Sequence, residues 1–167
     1  MKDEAYFFHQ TPPDLAKKLI EYIPLQEGDR VLEPFKGDGA FYDNLPAITE
    51  NHWCEIEEGK DYRNFTDEVD WVITNPPFRI DDGTKQVNAF FTLLTHFTKI
   101  AQKGIAFLSN DVCFSTLTPK RMKEIQESGF YIQKVVVCSV KKWRGRYFFV
   151  IFKKEPNDTF EYIQGSY

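Results

Sequence analysis

Arg30-Val31-Leu32-Glu33-Pro34-Phe35-Lys36-Gly37-Asp38-Gly39-Ala40-Phe41 is a short apolar run that ends on an acid and then turns through two glycines. It reads as a buried strand at Arg30 to Glu33 feeding a loop at its carboxyl end. In an open α/β sheet, ligands sit in the crevice beyond those carboxyl ends. Gly37 and Gly39 let the backbone approach a ligand closely, and Glu33 can accept hydrogen bonds from an ammonium group. The full glycine pattern of dinucleotide-binding loops is missing, as is a Gly-Lys-Ser/Thr phosphate loop. A carboxylate at this point would also repel phosphate. The stretch therefore fits a cationic amino-acid moiety better than a nucleotide phosphate.

Outward from this point, short apolar runs alternate with helical patterns, the sign of a doubly wound α/β sheet. Upstream, Thr11 serves as an N-cap and Pro12 suits the first turn of a helix to about Tyr22. Downstream, strands are expected at His52 to Ile56 and Asp70 to Thr74, with a weaker element at Asp61 to Phe65. The stripe Val87, Phe90, Phe91, Leu94, Phe97, Thr98 and Ala101 predicts a core-facing helix ended by Gly104. A strand follows at Ile105 to Leu108, then a helix from Pro119 to Gly129. Tyr131 to Val140 and Tyr147 to Lys153 are long β-rich runs with a short connection, so they pair antiparallel. The expected architecture is a mainly parallel seven-stranded sheet with an antiparallel C-terminal hairpin. The whole chain, 1–167, is expected to form one catalytic domain without a separate target-recognition domain.

Four groups of residues carry chemistry at the carboxyl ends of these strands. Glu33 is the first. Glu55, in Trp53-Cys54-Glu55-Ile56, can take both hydroxyls of a ribose. Asp61-Tyr62 offers an acceptor for a purine amino group beside a flat ring. The sharpest is Asn75-Pro76-Pro77-Phe78, directly after a buried strand. Its prolines remove donors and fix the backbone. The Asn75 side chain and the Pro76 carbonyl can then accept the two hydrogens of an exocyclic amine while Phe78 stacks on the ring. Such a grip draws the nitrogen lone pair out of conjugation, so no general base is essential.

In this order the motifs resemble the class I N6-adenine methyltransferases of the gamma group. The likeness rests on Gln10-Thr11-Pro12-Pro13, Arg30 to Pro34, Glu55-Ile56, Asp61-Tyr62 and Asn75 to Phe78, and it covers the first half of the chain. It implies S-adenosylmethionine as cofactor. Thr11 and Glu33 would hold its methionine portion, with help from Pro34, Phe35, Gly37 and Gly39. Glu55 would take the ribose, Asp61 the cofactor's adenine amino group, and Ile56 and Tyr62 would flank that ring. Asn75, Pro76, Pro77 and Phe78 would hold the target amine, giving in-line methyl transfer to N6 of adenine, with DNA favoured over RNA. Two departures stand out. Few residues separate Glu55, Asp61 and the next strand, so the helices on that side must be short or missing. No residues remain for a recognition domain, so sequence selectivity is low or comes from a partner subunit.

The Asn-Pro-Pro-aromatic motif also occurs in enzymes that methylate the glutamine side chain of proteins, a planar group that bears an NH2. A methyltransferase-like subunit that binds nucleic acid without chemistry is the remaining alternative. Two features bear on nucleic acid. The net charge of −4 excludes a protein that holds it by bulk basicity. Locally, Lys134, Lys141, Lys142, Arg144, Arg146, Lys153 and Lys154 lie in a stretch without acids, interleaved with Trp143 and Tyr147. Lys141, Lys142, Trp143, Arg144 and Arg146 are thus candidate phosphate and stacking contacts; a lysine-guarded hairpin edge would look the same. Three scattered cysteines argue against disulfides and a zinc site, and no metal is expected. Charges at residues 1–4 and the lack of any apolar run of roughly 20 residues predict a soluble intracellular protein without a membrane partner.

Overall fold

The computed structural model describes residues 10–141 and 143–164; the N-terminal charges and Lys142 lie outside the described residues. The main strands are β1 (Arg30–Glu33), β2 (Glu50–Trp53), β3 (Val69–Thr74), β6 (Ala101–Asn110), β7 (Tyr131–Cys138), β8 (Tyr147–Lys153) and β9 (Glu161–Gln164). They form one seven-stranded sheet in the order β2-β1-β3-β6-β8-β7-β9. A separate ribbon pairs β4 (Arg79–Asp81) with β5 (Gln86–Asn88). β2, β1, β3 and β6 run parallel, β8 is antiparallel to both β6 and β7, and β9 returns to lie parallel to β7. Only β8 is reversed. The carboxyl ends of β1, β2, β3, β6 and β7 therefore share one edge, and the loops after them meet there.

Both faces of the sheet are apolar, which is why the central strands read as nearly continuous hydrophobic runs. Side chains alternate between faces with period two. Val31, Trp71, Ile73, Ala106, Leu108, Phe149 and Ile151 pack with Leu15, Leu19 and Ile20 of α1 (Pro13–Ile20). Leu32, Val72, Ile105, Phe107, Val150 and Phe152 pack with Phe90, Leu93, Leu94 and Phe97 of α2 (Ala89–Phe97). Short α3 (Val112–Thr116) and α4 (Pro119–Glu127) complete that second face through Cys113 and Ile125. Each fully buried side chain of this size is worth about 1.5 to 3 kcal/mol. The sheet is doubly wound, as expected.

Several boundaries differ from the sequence reading for identifiable reasons. Thr11 does not cap α1: a residue before proline is pushed out of the helical region, so Thr11 and Pro12 stay extended and the helix starts at Pro13. The element at Asp61 to Phe65 is no strand but a 3-10 turn over Tyr62–Asn64, because the Asp61 side chain accepts from the Arg63 N–H and closes it. The seventh strand is instead β9, at the opposite edge. The connections β1 to β2 and β2 to β3 contain only 3-10 turns among the described residues, so the helices there are indeed missing. Gly104 does not end a helix; it lies inside β6 under Trp71. A Cβ at this position would press into the indole ring and come within 2.6 Å of the Phe152 carbonyl oxygen. All three cysteines are free and buried, and burial pushes the Cys113 and Cys138 thiols up to about 12.

Candidate active site

Glu33, the last residue of β1, is 2 % exposed. The neighbouring strand end supplies Thr74, whose Oγ1 donates to Glu33 Oε1 at 3.0 Å. Oε2 has no hydrogen-bond partner among the described residues. Burial pushes the carboxyl well above the usual carboxylate range, and the Thr74 hydroxyl and Tyr42 N–H only partly counter it. An orphaned buried carboxylate oxygen facing a cavity is a costly feature that a cationic donor would relieve.

The glycine turn after β1 wraps this acid. Gly37 has φ 52° and its N–H donates to Glu55 Oε2 at 2.8 Å, which ties the β1 and β2 loops together. Glu55 Oε1 accepts from the Glu57 N–H at 3.2 Å, so the carboxylate also caps the following 3-10 turn. Lys36 pairs with Glu58 at 2.9 Å and lies over the Trp53 ring. Beside Glu55, Ile56 is 61 % exposed, an apolar side chain presented to the cavity. Tyr62 faces it, half-buried against Phe35 at 4.9 Å and Phe97 at 5.8 Å between ring centroids.

The loop after β3 forms the opposite wall. Asn75 Nδ2 donates to Thr11 Oγ1 at 3.1 Å, which anchors the segment before α1 to this loop. Thr11 thus ties to the cavity wall instead of capping the helix. Pro76 is buried and Pro77 exposed, and the Phe78 carbonyl accepts from the Ala89 N–H at 3.0 Å. The β4–β5 ribbon follows at once, so its residues Arg79, Ile80 and Asp81 join the wall. Sequence reading missed them, although Asp82-Gly83 between two short alternating runs is a hairpin signal. In the structure Asp82 Oδ1 accepts from the N–H groups of Thr84 and Lys85 and closes that turn.

These walls enclose a cavity of about 520 Å3. Of the residues singled out by sequence, Thr11, Glu33, Pro34, Phe35, Gly37, Glu55, Ile56, Tyr62, Asn75, Pro76, Pro77 and Phe78 line it. Gly39 does not; with φ 89° it shapes the turn and faces a neighbouring groove. Asp61 does not either. Arg63 grips its carboxylate, with Nε 2.9 Å from Oδ2, and holds it below the usual carboxylate range. Arg63 itself reaches the cavity wall.

The basic hairpin loop needs the largest correction. Trp143 is 7 % exposed and packs on Tyr147, ring centroids 4.4 Å apart, so neither ring is a surface stacking platform. Lys134 pairs with Glu161, Lys153 with Glu155, and Lys154 lies over the Phe130 ring. Lys141, Arg144 and Arg146 are exposed. The loop also lies at the same sheet edge as the cavity, not remote from it. Lys141 and Trp143 share a groove of about 1040 Å3 with Thr11 and Gly39.

Among the described residues, no group of three or more His, Cys, Asp or Glu could hold a metal ion. No described helix is long and apolar enough to cross a membrane. No family model matches the sequence, and neither does any curated protein. Solved structures do resemble the fold. A Listeria monocytogenes protein described as a class I S-adenosylmethionine-dependent methyltransferase has TM-score 0.72 at 17% identity, covering 94% of this chain and 66% of its own. A Pyrococcus horikoshii protein described as an RNA methyltransferase has TM-score 0.65 at 19% identity, covering 95% and 91%. A modification subunit assigned to a type I restriction enzyme of Vibrio vulnificus has TM-score 0.60 at 15% identity, covering 93% and 46%. This chain thus spans just under two thirds of the Listeria protein and about half of the Vibrio one. Its fold is that of the class I S-adenosylmethionine-dependent methyltransferases.

Proposed function

We propose that the chain binds S-adenosylmethionine and methylates an exocyclic amine, N6 of adenine in a nucleic acid. One observation carries the reading: a single cavity runs from the orphaned Glu33 carboxylate oxygen to the Asn75-Pro76-Pro77-Phe78 loop. The residues present fit the cofactor. Glu33 Oε2 would take a cationic donor, Gly37 brings backbone close, Glu55 would take the ribose hydroxyls, and Ile56 and Tyr62 border the cavity between them. When bound, the cofactor supplies an electrophilic methyl group on a sulfonium.

The protein's part is to hold and orient. Glu33 accepts from the cofactor's ammonium group, and Thr11 completes that end. Asn75 Oδ1 and the Pro76 carbonyl accept the two hydrogens of the target amine, which turns its lone pair toward the methyl group. Phe78 stacks the base and the two prolines keep the loop from adapting, so the work is positioning.

Support for nucleic acid comes from Lys141, Arg144 and Arg146, exposed on the loop at the cavity edge. The printed descriptions of the Pyrococcus and Vibrio proteins point the same way. An adenine already exposed in a single strand or mismatch is the best target, since extrusion from a duplex costs a few kcal/mol. The test is mass spectrometry of nucleosides from DNA and RNA treated with protein and isotope-labelled cofactor. Labelled N6-methyladenosine or its deoxy form is expected. Label on a glutamine peptide and on no oligonucleotide would move the target to protein.

A further inference from the structure

The Asn75 to Phe78 loop has a second side. Pro76, Pro77, Phe78 and Arg79 also wall a smaller cavity of about 280 Å3, closed by Asn88, Phe90, Ser109 and Asn110. Its polar equipment is unusual. The Asn88 Oδ1 accepts from the Phe90 N–H at 3.1 Å, as the cap of α2. The Asn110 Oδ1 accepts from the Val112 N–H at 3.2 Å, ahead of α3. A backbone N–H can only donate, so the oxygen of each amide is identified chemically and neither can be flipped. What each side chain can offer a ligand is its Nδ2–H2 group. Ser109 and Cys113 complete the lining. Arg79 adds only donors. No carboxylate lines the cavity among the described residues.

Flat apolar walls that bring amide and guanidinium donors beside the Pro76 carbonyl suit an aromatic amine whose ring edge carries lone pairs. Adenine presents N1, N3 and N7 beside its amine, and cytosine presents N3 and O2. A glutamine side chain has no ring and a single acceptor. On the reading that Asn75 and Pro76 hold the target amine, we propose that this second cavity takes the ring of that base. Asn88 and Asn110 then donate to its ring nitrogens and set specificity for an aza-aromatic amine.

Replacing either residue by aspartate separates this role from folding. Asn88→Asp and Asn110→Asp each keep the oxygen that accepts the backbone N–H and put a carboxylate oxygen where the donor stood. The experiment compares wild type and both variants on a single-stranded oligonucleotide with one target adenine, and on its 1-deaza, 3-deaza and 7-deaza forms. Melting temperature and S-adenosylmethionine affinity are controls. At least one variant is expected to lose about tenfold or more in kcat/KM on adenine, with cofactor affinity within about twofold. Wild type should penalise one deaza ring by a similar factor, and the matching variant should not. Full activity of both variants on adenine, or wild-type indifference to every deaza ring, overturns the assignment and leaves the methyltransferase reading standing. A wild type that methylates a glutamine peptide and no adenine overturns both.

Discussion

Glu33 shows how much a single residue can say. Its place at the end of an apolar run before two glycines was legible. Its burial was not, because burial depends on β3 and the 3-10 turn at Tyr42–Asn44 closing around it. The raised carboxyl value makes a stability prediction. The folded protein holds this proton more tightly than the unfolded chain does. Glu33 therefore favours folding in acid and loses that contribution as pH climbs from the ordinary carboxylate range toward its raised value. Glu33→Gln mimics the neutral form. It is expected to raise the melting temperature of the cofactor-free protein at pH 7.5 and to leave it nearly unchanged at pH 4. The same variant should bind S-adenosylmethionine roughly tenfold to a hundredfold more weakly, as a hydrogen bond to a charged group is lost. Calorimetry measures both, and an equal thermal shift at the two pH values would contradict the account. Asp61 is the converse case. Its position in the motif was legible, but its partner Arg63 lies two residues away, and the short turn between them decides where the carboxylate points.

At the scale of elements, β1 and β8 were readable to the residue, since strands apolar on both faces and bounded by turn residues leave little choice of frame. The ribbon β4–β5 and the edge strand β9 were missed. Three- and four-residue strands with alternate polar side chains carry almost no pattern, and β9 exists only because β7 offers it a free edge. Gly104 was misread because glycine punctuates helices more often than it admits a neighbouring indole. Gly104→Ala is expected to destabilise by about 1 to 3 kcal/mol through overpacking. At roughly 2 to 4 °C per kcal/mol for a domain of this size, the melting temperature falls several degrees. Shaving the neighbour with Trp71→Phe should make the double variant less damaged than the sum of the two singles. Strict additivity in a thermal-denaturation cycle would place the strain elsewhere.

For the whole molecule, the parallel run of β2, β1, β3 and β6 brings the loops after them to one edge. That is why residues from Thr11 to Asp81 meet in one cavity. The hairpin loop shares this edge, so its exposed cations stand where a strand would approach. Replacing Lys141, Arg144 and Arg146 with Gln should weaken binding of single-stranded DNA or RNA and reduce the salt slope of log K by up to roughly 2 to 3, each phosphate contact contributing roughly 0.7 to 0.9. Equal slopes would return the loop to a solvated edge. Its place among the basic residues had suggested Trp143 as a stacking ring, but the fold spends it on the core.

The central claim is that Asn75 holds the amine that receives the methyl group, and single-turnover kinetics of Asn75→Ala test it most directly. The rate of methyl transfer at saturating cofactor should fall about a hundredfold or more, the scale seen when one preorganised polar contact to the reacting group is removed. S-adenosylmethionine affinity should stay within about threefold, the small change reflecting the lost bond to Thr11. A folded Asn75→Ala protein that methylates its best substrate at near wild-type rate would contradict the account.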